Sequence, residues 1–317
     1  MATKKDPHVK NSGFLDVGQG HRVYWEDWGN PKATPILHIH GGPGSSFDKY
    51  DKQRFNPKKH RVIFYDQRGC GKSTPLYSTK HNTTQYLISD IEKLRKHLKI
   101  ESFYVFGGSW GSTMALLYTI AFPKRVKKLM MYGVYLATQE ETDFVNEGYP
   151  QLAYPEAWER FISLVPVKHR KNGDSIMEYY AKQIWSKNKR IAKKYADEWS
   201  LWEWAVMSFN YDPKKIEREV MSFDNTAVAK FETRYFLNKC FIPEGYILKN
   251  VRKIQHIPCF VVQGRFDLCT PSSLGAYKLA KAYGKKLKLQ LTLGGHLASE
   301  PENFKVIRPL ILAQFSR

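Results

Sequence analysis

Short runs of β-branched and aromatic residues, each ending in a glycine-bearing loop, alternate with stretches of helical spacing, break off near residue 136 and resume near residue 251. This interrupted rhythm is the strongest constraint on what the chain can fold into. Pro35-Ile36-Leu37-His38-Ile39-His40, Arg61-Val62-Ile63-Phe64-Tyr65, Phe103-Tyr104-Val105-Phe106 and the stretch 126–132 read as buried strands. Between them, Leu87, Ile91, Leu94 and Leu98 recur at three and four residues and so share one helical face over residues 83–98. A second helix should run from the glycines around Ser109 to about Phe122, where Pro123 prevents its continuation. Such alternation predicts an α/β fold, a mainly parallel sheet with helices on both faces. A hairpin should precede it, with Gly18-Gln19-Gly20 turning residues 14–17 back onto 21–25.

From residue 136 to 250 the composition turns helical, rich in Trp, Tyr and Lys, and offers no convincing buried strand. Strand signals return at Ile257-Pro258-Cys259-Phe260-Val261-Val262 and at Lys288-Leu289-Gln290-Leu291, and a helix should close the chain over residues 302–314. Both flanks are needed to complete one sheet. The expected organisation is a core of residues 1–135 and 251–317 with an inserted helical cap domain of residues 136–250, and 317 residues are ample for that.

Residues 1–7 carry no apolar run behind their lysines, and nowhere does the chain offer the roughly 18 uninterrupted apolar residues of a membrane span. Neither export nor membrane insertion is expected, and a cytoplasmic location is. Cys70, Cys240, Cys259 and Cys269 form no C-x-x-C pair, which suits a reducing compartment and gives no support to structural zinc. The net charge of +20 could attract nucleic acid, but the lysines are scattered in short groups such as 187–194 and 285–286, the pattern of a solvated basic surface. No nucleic-acid partner is expected.

Gly107-Gly108-Ser109-Trp110-Gly111 fits G-x-S-x-G and lies between a predicted strand and a predicted helix. In that setting a sharp turn with small neighbours holds the serine hydroxyl out of the sheet, and the helix N-terminus behind it favours developing negative charge. Ser109 is the expected nucleophile. A serine needs a base, and the base needs an orienting carboxylate. Asp267, in Gln263-Gly264-Arg265-Phe266-Asp267, and His296, in Gly294-Gly295-His296, each follow one of the last two predicted strands, in the order Ser, Asp, His expected of this fold. The oxyanion would rest on the N–H of Trp110 and on a second donor from the loop after the third strand, His40-Gly41-Gly42-Pro43-Gly44, where Gly42 is the choice.

At this point a resemblance becomes specific. His40-Gly41-Gly42-Pro43-Gly44, Asp66-Gln67-Arg68-Gly69-Cys70-Gly71-Lys72-Ser73-Thr74-Pro75, Gly107-Gly108-Ser109-Trp110-Gly111-Ser112 and Gly295-His296 with Glu300-Pro301-Glu302-Asn303 resemble, in order and spacing, the signature stretches of the proline iminopeptidases. Those are α/β-hydrolase serine peptidases with a helical cap over the triad. The resemblance implies release of an N-terminal proline from peptides, with no metal and no cofactor.

Two acids in the expected cap bear on that implication. Glu203 lies four residues after Trp199 and three before Val206, and Glu232 lies four from both Val228 and Phe236, so helices would aim both carboxylates into apolar faces. Internal pairing with Arg234, Arg265 or a lysine would explain them; so would recognition of the positive amine of a peptide N-terminus. Both positions match the family's amine-binding acids. Tyr135 and Phe236 stand where the family places residues against the proline ring, a role equally open to plain core packing.

Two departures qualify the resemblance. A W-Y-Y-Q-[DE]-G-A stretch common in the family reads here Asp143-Phe144-Val145-Asn146-Glu147-Gly148-Tyr149, so an aromatic wall is expected to be missing at Val145. A cysteine often placed three residues after the acid stands here two after it, as Cys269. The alternative to a proline iminopeptidase is a broader aminopeptidase, amidase or esterase of the same fold.

Overall fold

The computed structural model describes residues 6–315, so the expectation drawn from the N-terminus lies partly outside the described residues. Among them are eight strands: β1 (Val9–Gly18), β2 (His21–Gly29), β3 (Pro35–Ile39), β4 (Arg61–Tyr65), β5 (Phe103–Ser109), β6 (Val126–Val134), β7 (Cys259–Gly264) and β8 (Leu287–Thr292). They form one sheet in the order β1-β2-β4-β3-β5-β6-β7-β8. The β1–β2 and β2–β4 pairings are antiparallel and every other pairing is parallel.

Helices α1 (Lys49–Lys52), α2 (Thr84–His97) and α3 (Trp110–Ala121) connect the first strands, α11 (Ala276–Tyr283) joins β7 to β8, and α12 (Pro301–Phe315) follows β8. Side chains alternate along the central strands between two apolar layers. Phe103 and Val105 of β5 join Leu87 and Ile91 of α2 and Met114 of α3, whereas Phe106 joins Ile307 and Ile311 of α12 on the other face. The opening hairpin is longer than its apolar pattern predicts, pairing Val9 with Trp28. Lys10-Asn11-Ser12-Gly13 has no alternating apolar face to announce a strand, because β1 is an edge strand with mostly exposed side chains.

Between β6 and β7 the chain is helical: α4 (Gln139–Asn146), α5 (Pro155–Ser163), α6 (Gly173–Ile184), α7 (Lys189–Met207), α8 (Pro213–Met221), α9 (Thr226–Leu237) and α10 (Tyr246–Asn250), with short 3-10 turns among them. These helices have an apolar centre of their own around Phe161, Tyr180, Trp199 and Trp202, in which the Phe161 and Tyr180 rings stack at 4.3 Å. The long α7 starts at Asn188, whose side chain accepts from the N–H groups of Arg190 and Ile191. Helix α9 joins the two centres. Its Phe231 and Tyr235 are buried in the main core, where Tyr235 meets the Trp110 ring edge-on at 5.1 Å, while Ala229 belongs to the helical cluster. Among the described residues no helix is long and apolar enough to cross a membrane.

Candidate active site

Ser109 is the last residue of β5 and the cap of α3, with φ 54° and ψ −131°, a conformation that non-glycine residues rarely adopt. The turn closes because its neighbours lack side chains. A Cβ on Gly107 would stand 2.3 Å from the Gly111 carbonyl oxygen, and one on Gly111 would stand 2.2 Å from that of Ile39. Neither backbone has room to yield. Gly111→Ala is therefore expected to cost about 1–3 kcal/mol, in the range of overpacked cores, read as a lower urea midpoint at unchanged slope.

Asp267 and His296 meet as the strand order predicts: both follow parallel strands at the same end of the sheet, and His296 Nδ1 lies 2.9 Å from Asp267 Oδ2. Asp267 is almost fully enclosed by donors. Its Oδ1 accepts from the N–H groups of Cys269 (3.0 Å) and Thr270 (2.7 Å), and its Oδ2 accepts from Gln263 Nε2 (2.7 Å) and Thr270 Oγ1 (2.8 Å) as well as from the imidazole. Such a set fixes the carboxylate in one orientation. Burial opposes charge on His296, yet Asp267 beside it, helped by Glu203 and Glu300, outweighs burial and raises the imidazole above its ordinary value.

The His40-to-Gly44 loop is held from below by Gln67. Its backbone N–H donates to His40 Nε2 at 2.9 Å, its amide nitrogen donates to the His40 carbonyl at 3.0 Å, and its side-chain oxygen accepts from the Trp110 indole at 3.0 Å. Burial first, and then the charge of His38, drive His40 down to about 4, so it is a neutral structural imidazole. Arg68, the next residue, is locked to Asp90 by contacts of 2.5 and 2.7 Å. Gly42 lies at φ 102° and has no backbone acceptor for its N–H among the described residues, and Trp110 opens α3, where N–H groups have no intrahelical partner. Both donors are free to meet an anion beside Ser109.

Ser109 and Gly42 open onto a cavity whose walls include Tyr135, Val145, Trp199, Trp202, Glu203, Glu232, Phe236 and Cys269. Tyr135 and Phe236 meet edge to face at 6.0 Å. The acids come from two different helices, α7 and α9, and neither forms an ion pair with Arg234, Arg265 or a lysine among the described residues. Arg234 instead lies over the Phe241 ring. Glu232 is 1% exposed; its Oε2 accepts from the Trp199 indole at 2.6 Å, and its Oε1 is buried without a hydrogen-bond partner. Burial, followed by the charge of Glu203, raises Glu232 well above the carboxylate range. Burial likewise raises Glu203, against the opposing pull of Glu232 and His296. Burial thus disfavours the charged form of both carboxyls.

Sequence reasoning did not single out several of these groups. In the sequence Trp199 only marks an apolar face, yet its indole orients Glu232. Glu141 also reaches the cavity: it is fully buried, accepts from the N–H groups of Leu136 and Thr138, and is pushed up to about 7 by that burial. Thr138 followed three residues later by Glu141 is a capping box, a sequence signal that points to a helix start rather than to a cavity wall. Among the described residues no cluster of three or more His, Cys, Asp or Glu side chains is arranged to hold a metal ion.

A serine at a strand-to-helix elbow with Asp and His after the following strands of a mainly parallel sheet defines a class, the α/β hydrolases. The alpha/beta hydrolase fold family matches residues 34–302. Solved structures agree: an esterase from Exiguobacterium antarcticum (TM-score 0.66, 17% identity, 96% of this chain and 99% of that one) and a proline iminopeptidase from Mycobacterium smegmatis (TM-score 0.60, 17% identity, 96% and 99%) share the fold. Similarity in sequence goes further. A proline iminopeptidase of Arabidopsis thaliana is 40% identical over 92% of this chain and 76% of its own, and one of Neisseria meningitidis serogroup A is 38% identical over 92% of each. The chain belongs to the proline iminopeptidase family of hydrolases.

Proposed function

We propose that the protein releases an N-terminal proline from peptides through an acyl-enzyme on Ser109. The observation that carries this reading is the pair of acids facing the serine's cavity, neither paired with an arginine or lysine among the described residues: Glu232 even leaves one oxygen unbonded. A buried carboxylate without a partner is costly, and the secondary ammonium of an N-terminal proline would relieve that cost. Its ring would stand against Tyr135, Phe236 and the two tryptophans, and residues 136–250 would serve as the cap that closes the cavity.

Since His296 Nδ1 is engaged by Asp267, Nε2 is the nitrogen left to accept the Ser109 proton. Ser109 Oγ then bonds to the carbonyl carbon of the N-terminal residue while the N–H groups of Gly42 and Trp110 receive the oxyanion. As the C–N bond breaks, His296 returns its proton to the departing peptide nitrogen. Water attacks the acyl-enzyme, giving its proton to His296; as the bond from the carbonyl carbon to Ser109 Oγ breaks, His296 returns that proton to Oγ, and free proline leaves.

A pH dependence follows from the raised imidazole. The base form must be unprotonated, so kcat/KM for an ester lacking an amine should rise with pH about a midpoint above 6.5. A midpoint below that value would contradict the pairing with Asp267 as its cause.

The reading is tested by initial rates on proline arylamide, alanine arylamide, N-acetylproline arylamide and a short-chain ester. Fast cleavage of free proline arylamide, lost on acetylation, supports it; preference for the ester or the blocked amide overturns it. A broader aminopeptidase is the second reading, favoured by the small Val145 in the cavity wall. Alanine arylamide cleaved as fast as proline arylamide would select it.

A further inference from the structure

The end of α7 and the loop carrying His296 meet backbone to backbone. His296 N–H donates to the Met207 carbonyl at 3.0 Å, and a Cβ on Gly295 would stand 2.9 Å from Phe209 N. Beside that bond, Phe209 and Gly295 each present an N–H group to the same place, and Glu300 occupies it. Its Oε1 accepts from Phe209 at 2.8 Å and its Oε2 from Gly295 at 2.5 Å. The Phe209 and Phe266 rings stack at 5.0 Å across the same seam, with Phe266 next to Asp267 in the chain. Glu203 lies one helical turn before Met207.

We propose that Glu300 is a positioning residue: by bridging the Phe209 and Gly295 N–H groups it sets the distance between the amine-holding Glu203 and His296. This rests on the reading of Glu203 given above. Two facing donors need an acceptor with two oxygens, and a carboxylate supplies both at once. Attack is efficient only when the carbonyl carbon arrives at Ser109 while the amine is held, so slack in this seam penalises substrates anchored by their amine. A substrate that uses only the triad and the oxyanion donors does not sense the distance.

Glu300→Gln offers one oxygen and turns an NH2 donor against an N–H donor, whereas Glu300→Asp keeps both oxygens on a shorter stem. The test is kcat/KM of the full chain and of Glu300→Gln, Glu300→Asp, Glu203→Gln and the Glu203→Gln/Glu300→Gln double variant, on proline p-nitroanilide and p-nitrophenyl acetate at pH 8. Glu300→Gln should lose about tenfold to hundredfold on the anilide. On the ester it should lose no more than about threefold. Glu300→Asp should fall between, and carries the test alone if the glutamine variant does not fold. In the Glu203→Gln background, Glu300→Gln should add less than about twofold, because the anchor it positions is gone.

Equal losses on both substrates, no loss on either, or full additivity in the double variant would overturn the proposal. Loss in Glu203→Gln with none in Glu300→Gln overturns the role of Glu300 alone. Undiminished anilide cleavage by Glu203→Gln overturns the amine-holding reading, and the role of Glu300 with it.

Discussion

Ser109→Ala is expected to lower turnover of proline arylamide by about a millionfold while the protein stays folded. Removing the nucleophile of a serine triad leaves only the contribution of binding and oxyanion donors, so kcat collapses and substrate affinity survives. The fold should not notice. Alanine meets the same backbone cost at φ 54° as serine, and the bond that secures the elbow, from Ser112 Oγ to the Ser109 carbonyl at 2.7 Å, involves the main chain of residue 109. Thermal unfolding and steady-state rates of the purified variant read the two halves of this expectation separately. A folded variant with rates within a hundredfold of the parent would exclude Ser109 as nucleophile.

The second large effect concerns the acids. Replacing Glu203 or Glu232 singly by glutamine should reduce kcat/KM on proline arylamide by about 10²–10³-fold, equivalent to breaking a buried ion pair. The loss on an ester without an amine should be far smaller. A graded response is expected because the two acids lie close enough to influence each other: with one turned to an amide, the other no longer faces a like charge and ionises more readily, so one negative charge still meets the amine. The double glutamine variant removes both. Its rate on the arylamide should fall well below either single variant, and parallel losses on amide and ester would mean that the two residues support the cavity rather than the amine.

Much of this site could be read from local pattern. The elbow shows itself because small residues must flank a serine at a strand-to-helix turn, and the faces of α7 and α9 show themselves because an acid at i, i+4 from apolar residues has no local reason to be there. Asp267 and His296 are legible through chain order, since parallel strands all deliver their following loops to one end of a sheet. What pattern does not reveal is pairing across the fold. Trp199 meeting Glu232, Gln67 joining His40 to Trp110, and Glu300 spanning Phe209 and Gly295 all depend on which distant backbone or side chain arrives opposite. Residues in those roles carry no spacing rule. That neither acid pairs with an arginine or lysine among the described residues is a fact of the same kind: Arg234 follows Glu232 by two residues, and only the packed structure shows its guanidinium over Phe241.

The acid-lined cavity within a protein of net charge +20 treats what enters and what leaves differently. A peptide's first residue arrives bearing a positive amine and a neutral carbonyl, and every nearby carboxylate attracts it. Once its bond is cut, that same residue carries a new carboxylate, formed next to the imidazole that Asp267 supports and within reach of the field of Glu203 and Glu232. On the proposed reading, hydrolysis turns an attractive guest into one that is half repelled, and the arrangement that would capture substrate would also clear the product from its path.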